Sequence, residues 1–157
     1  MNIFLKMPKS IFIVFCFTFD LISSFLGSKL LSSFITNEPN LNFKEGLVFE
    51  FLIIVLFAPI IETLIFQFAV IELVLNYIKQ KSTYYIAVLL SGSLFGISHF
   101  YNLQYTIYCF IIGIGFALMY LIAKKRKDIN PILLVFLVHS FTNLIGFISN
   151  NLFNLDF

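Results

Sequence analysis

From Leu47 to Ile78 the chain runs without a lysine or arginine, and the only charged residues in the run are Glu50, Glu62 and Glu72. At ~1.5 Å per residue such a run, as a helix, is longer than the ~30 Å hydrocarbon core of a bilayer. It must therefore tilt, project beyond the core or break. Pro59 is the expected break, because proline has no N–H and its ring collides with the carbonyl four residues back. The rest of the chain fits the same solvent. Of 157 residues, 60% are hydrophobic, 11% are charged and 22 are phenylalanine, more apolar side chain than one soluble core of this size can cover. The fold class that follows is all-α, a polytopic membrane bundle of about five helices forming a single integral membrane domain over 1–157.

The other spans are read from their breaks. The first runs from about Ser10 to Ile35 and ends at the loop "TNEPNLNFKEG" with Pro39. After "KQKST", a third runs from Thr83 to about Phe100. A turn around Asn102 leads to a fourth, ending near Ala123, and after "KKRKD" a fifth runs from Asn130 to about Asn150.

Basic residues orient the bundle. Of ten, Lys6, Lys9, Lys79, Lys81, Lys124, Lys125, Arg126 and Lys127 fall on one side of a five-span chain, and Lys29 and Lys44 fall on the other. The positive-inside rule makes the N-terminus cytoplasmic and the C-terminus external, at the plasma membrane in a bacterial cell. The tyrosines agree, since all seven lie near span ends. Two early lysines followed by "IFIVFCF" also describe a signal peptide, but Asp20 interrupts the apolar region and no A-x-A-like site follows, so the first helix is read as retained. A net charge of +2 gives no reason to expect a nucleic-acid partner. The cluster Lys124–Lys127 reads as an anchor against anionic lipid, and Cys16 and Cys109, with no ligand spacing, as small apolar packers.

Ionisable groups inside spans are costly and so informative. Asp20, Glu50, Glu62, Glu72, His99 and His139 qualify. Glu50 and Glu72 lie where an interface is within reach and are read as structural, and Asp20 is read as helix packing in preference to function. Glu62, His99 and His139 fall on three different helices without a basic neighbour in sequence. Phe95 and His99 in "FGISH", and His139 and Asn143 in "HSFTN", are each four apart and share a helix face. Gly92 and Gly96 form a G-x-x-x-G pattern that lets another backbone approach closely. A glutamate, two histidines and an asparagine on three helices are most economically one site. Depth does not agree so simply, because Glu62 and His99 lie roughly 24 Å from their cytoplasmic ends and His139 only about 13 Å from Asn130. A tilt, or a last helix that begins earlier, is required.

A glutamate motif, F-x-x-x-H and H-x-x-x-N on successive membrane helices resemble the CPBP (Abi) family of intramembrane proteases, which includes CAAX prenyl endopeptidases and bacteriocin-processing enzymes. The resemblance covers a protease-like core over 50–150 and leaves 1–43 as an additional N-terminal helix and external loop. It implies that Glu62 stands for the first glutamate of E-E-x-x-x-R, His99 for the histidine of F-x-x-x-H, and His139 with Asn143 for the last motif. Thr63 and Gln67 replace that motif's second glutamate and its arginine. The two positions are four apart, so a Thr63 to Gln67 hydrogen bond is expected in place of an ion pair.

The implied activity is endoproteolysis of a membrane-associated peptide or protein. Glu62 and His99 would hold and deprotonate a water, and His139 and Asn143 would donate to the oxyanion. Glutamate with two histidines is also a zinc ligand set, so Glu62, His99 and His139 holding Zn is the alternative to a mechanism without cofactor. Hydrolysis further requires helix ends, or a kink at Pro59, to open a wet chamber. Two other readings stand beside the enzyme. One is a catalytically silent binding or immunity protein on the same scaffold, suggested by Thr63 and Gln67; the other is a proton-linked transporter, disfavoured by the lack of an internal repeat.

Overall fold

The computed structural model describes residues 2–32 and 46–153, and every regular element among them is helical. The external loop expected around Pro39 and Lys44, the end of the first span near Ile35, and Phe157 lie outside the described residues. A short helix α1 (Asn2–Lys6) precedes α2 (Lys9–Ser32). There follow α3 (Leu47–Tyr77), α4 (Thr83–Ser98), α5 (Leu103–Arg126) and α6 (Pro131–Phe153). Four of these, α2, α3, α5 and α6, are long and apolar enough to cross a membrane. The fifth, α4, has 16 residues; at ~1.5 Å each it stops short of a ~30 Å core. The protein is an integral membrane helix bundle. Its outward face carries large apolar side chains such as Leu73, Leu89, Ile97, Ile111 and Leu137, all more than two-fifths exposed, as lipid contact allows.

Local chemistry sets the helix ends. Asn102 caps α5 by accepting from the Tyr105 N–H at 2.8 Å, and Asn130 caps α6 by accepting from the Leu133 N–H at 3.1 Å. Pro131 occupies the first turn of α6, where its missing N–H costs nothing. At the other end of α5, Lys127 takes a left-handed conformation with φ 63°. The basic cluster there is more than a lipid anchor. Arg126 donates to Asp128 through two nitrogens, at 3.0 and 2.8 Å, and to the Phe4 carbonyl, pinning α1. That guanidinium holds the Asp128 carboxyl below the usual carboxylate range. Lys124 and the Tyr120 hydroxyl both donate to Glu72, the latter at 2.7 Å, which fits the structural reading of that glutamate.

The long span does not break at Pro59. Instead α3 is continuous over 31 residues, and its winding changes twice: Leu52–Phe57 and Thr63–Ala69 are π-helical, with five α-helical residues, Ala58–Glu62, between them. Within the first π stretch the Ala58 N–H reaches back to the Ile53 carbonyl. The next donor in that register would meet Ile54, but it is Pro59, which has none. A widened turn thus takes up the proline that would otherwise kink the helix.

Gly92 and Gly96 do allow a close approach, and the helix they admit is α5. A Cβ at Gly96 would lie 2.9 Å from the Phe110 nitrogen and from the Thr106 carbonyl oxygen, and one at Gly113 would lie 3.1 Å from the Gly92 Cα. The α4–α5 pair is accordingly the most extensive contact among the described helices. Helix α6 touches α2, α3 and α5. It begins at Pro131, so the difference in depth between His139 and the other two groups is not met by an earlier start.

Candidate active site

His99 follows the last residue of α4, where carbonyls run out of helical donors. Its own N–H turns to Gly96 at 3.1 Å, leaving the Phe95 carbonyl to side chains. Ser98 Oγ donates to that carbonyl at 2.7 Å, and His99 Nδ1 lies 2.8 Å from it. A carbonyl only accepts, so Nδ1 is the donor in this contact. Nε2 faces Glu62 Oε1 at 3.7 Å.

Glu62 is the last residue before the second π stretch. Its other oxygen, Oε2, lies 3.7 Å from Nε2 of His139 on α6. One carboxylate is thus bracketed by two imidazoles. Both separations are too long for direct hydrogen bonds and suit a bridging water. Side-chain exposure is 20% for Glu62 and for His99 and 9% for His139, so the first two are within reach of solvent and the third is set deeper.

Aromatic rings hold this geometry. Phe95, itself buried, has its ring centroid 4.6 Å from that of His99 and 5.9 Å from that of His139. The phenylalanine of F-x-x-x-H is therefore a shelf under both imidazoles. Phe116 packs on His139 at 4.7 Å, and Phe66 meets Phe95 edge-on at 5.7 Å. Neither was singled out in the sequence, where each is one phenylalanine of 22 and no spacing sets it apart.

Asn143 is placed differently. Its Nδ2 donates to the Ile54 carbonyl at 2.9 Å, the carbonyl that Pro59 leaves without a helical donor. An amide carries two N–H groups, and one of them is engaged by α3.

The expected Thr63 to Gln67 hydrogen bond is not formed. Both side chains are fully buried, and Thr63 Oγ1 and both polar atoms of the Gln67 amide have no hydrogen-bond partner among the described residues. The expectation assumed α-helical stacking of positions i and i+4. Thr63–Ala69 is π-helical, with i to i+5 bonding, so that neighbour relation does not carry over.

Among the described residues no group of three or more His, Cys, Asp or Glu side chains is placed to hold a metal ion.

Three membrane helices that present a glutamate and two histidines to one another set the context for comparison. The chain matches the model of the family described as Type II CAAX prenyl endopeptidase Rce1-like over residues 44–145. It belongs to that family. With the helical bundle, this makes it a CAAX-type intramembrane endopeptidase in general character. No curated protein and no solved structure matches the chain. Of the Rce1-like chain, α1 and α2 lie outside the matched segment.

Proposed function

We propose that this Rce1-like protein hydrolyses a peptide bond in a membrane-associated peptide or protein by a glutamate-based mechanism without a metal. A water held between Glu62 and His99 is deprotonated by the carboxylate and attacks the scissile carbonyl. The oxyanion receives hydrogen bonds from His139 and from the second N–H of Asn143, whose first N–H is held by Ile54. The proton that Glu62 took from the water passes to the leaving amine as the C–N bond breaks. The observation that carries this reading is the placement of both Nε2 atoms 3.7 Å from the two oxygens of one carboxylate.

The site residues act within a core over 50–150, with the N-terminus cytoplasmic and, if the chain is bacterial, the protein at the plasma membrane. The family description makes a prenylated C-terminal peptide the first substrate to offer. The test compares wild type and Glu62→Gln in liposomes on two quenched-fluorophore peptides, one prenylated at a CAAX cysteine and one not. Cleavage by wild type, lowered about 10²- to 10⁴-fold in the variant, is expected for loss of a general base.

A second reading, a catalytically silent binding or immunity protein, is favoured by one observation, the uncharged and unpartnered Thr63 and Gln67. Cleavage of neither peptide by folded wild type would favour it.

A further inference from the structure

The buried residues of α2 fall on a single stripe. Phe12, Cys16, Asp20 and Ser24 are spaced four apart and all are buried, so this edge of the helix is the one turned into the bundle. Near its end Gly27 admits Tyr108 of α5, whose ring atom Cε2 would lie 2.2 Å from a Cβ at that position. At the centre is Asp20, 3% exposed, with its Oδ2 accepting from Thr142 Oγ1 at 2.7 Å. One turn before Asp20, Phe17 meets Phe141 edge-on at 5.3 Å. Helix α2 therefore grips α6 at consecutive residues, 141 and 142.

Those residues stand between His139 and Asn143. We propose that Asp20 is a positioning residue for the reaction: through Thr142 it fixes the rotation of α6 and with it the aim of His139 and Asn143. The inference rests on the hydrolytic reading of the site given above. It makes α2, outside the family match, a working part of the enzyme. Plain packing accounts for an apolar stripe, but an acid in lipid is expensive, and this one is bonded to the turn that carries the last motif. Leverage is short. With side-chain tips about 5–6 Å from a helix axis, a rotation of roughly 10° displaces an imidazole by about 1 Å. A misplacement of that size can cost about a hundredfold in rate.

The experiment uses the full chain in liposomes, with two readouts on the same variants. The first is turnover of the peptide that wild type cleaves. Asp20→Ala and Thr142→Val should each lower kcat about ten- to a hundredfold with KM near wild type. Thr142→Ser, which keeps the hydroxyl, should restore kcat, and the double variant should be no worse than either single one. The second is ¹⁵N magnetic resonance of the imidazoles. The chain has two histidines, so His99→Gln assigns the His139 signals. These should move in Asp20→Ala and Thr142→Val while those of His99 stay.

Unmoved His139 signals in both variants, wild-type kcat in folded Thr142→Val, or a kcat loss in Thr142→Ser as large as in Thr142→Val would each overturn the inference. If Asp20→Ala does not fold, Asp20→Asn takes its place. It retains an oxygen acceptor for Thr142 and should behave as Thr142→Ser does; behaviour like Thr142→Val counts against the pair. Wild type that cleaves no peptide refutes the hydrolytic reading, and the His139 signals then decide the positioning inference alone.

Discussion

Replacing Asn143 with leucine, similar in size and without polar atoms, removes the donor that satisfies the Ile54 carbonyl. In a helix the turn itself would supply another. Here the Ala58 N–H is engaged with Ile53, and the following residue is Pro59. Leaving a buried acceptor unpaired costs about 1–3 kcal/mol, and this one is partly buried; interhelical pairs in membranes whose partners find alternatives average about 0.6 kcal/mol. The shortage of alternatives at Ile54 puts Asn143→Leu in the upper range. Pro59→Ala restores a backbone N–H that can meet the carbonyl. The double variant should then recover about 1 kcal/mol or more, a coupling that distant sites do not have.

Activity separates the two roles of the same amide. If the second N–H of Asn143 donates to the oxyanion, the double variant folds well and is still slow by about 10²- to 10³-fold, the cost of one oxyanion donor. The assay is reversible unfolding in mixed micelles alongside peptide turnover. A double variant as unstable as Asn143→Leu alone would refute the account of Pro59. A double variant that regains full turnover would reduce Asn143 to a strut for α3.

Further outcomes follow from other parts of the chain. Reporter fusions should place the loops at Lys79–Ser82 and Lys124–Asp128 in the cytoplasm and Phe157 outside; a cytoplasmic C-terminus would remove the five-span topology. Purified active protein should keep its turnover after exhaustive chelation, whereas stoichiometric zinc, with activity lost on its removal and regained on its return, would overturn the metal-free mechanism. Gly96→Val should destabilise the protein by about 1–3 kcal/mol, as overpacking does, because its Cβ would meet the α5 backbone at 2.9 Å; unchanged unfolding would mean the α4–α5 contact yields without cost.

What the sequence disclosed and what it hid differ in the range of the physics involved. Spans were legible because lipid demands long apolar runs and water demands the breaks between them, so "KKRKD" and "NP" mark the α5–α6 turn directly. Glu62, His99 and His139 were legible because a polar group in such a run is conspicuous whatever its partner. Partners were not legible. Thr142 lies 122 residues from Asp20, and Asn143 lies 89 from Ile54. The second pairing also depends on a π register that local composition does not signal. Phe116 and Phe66 support the imidazoles as hydrophobic residues among many others, and only packing distinguishes them.

The winding of α3 bears on whether the altered first motif leaves an enzyme. Were an ion pair at 63 and 67 needed to aim Glu62, its loss would leave the carboxylate out of register with the histidines. Glu62 meets both of them with Thr63 and Gln67 in place, while the π turns on either side and the hold of Asn143 on Ile54 set the helix. The two charges are also absent together. Removing one partner of a buried pair leaves an uncompensated ion, at about 3–5 kcal/mol, a cost that replacing both avoids. Thr63 and Gln67 place no ion in the interior, although their three buried polar atoms have no hydrogen-bond partner among the described residues. Glu62, His99 and His139 face one another with both charges absent, so an ion pair at 63 and 67 is not what brings the three groups together.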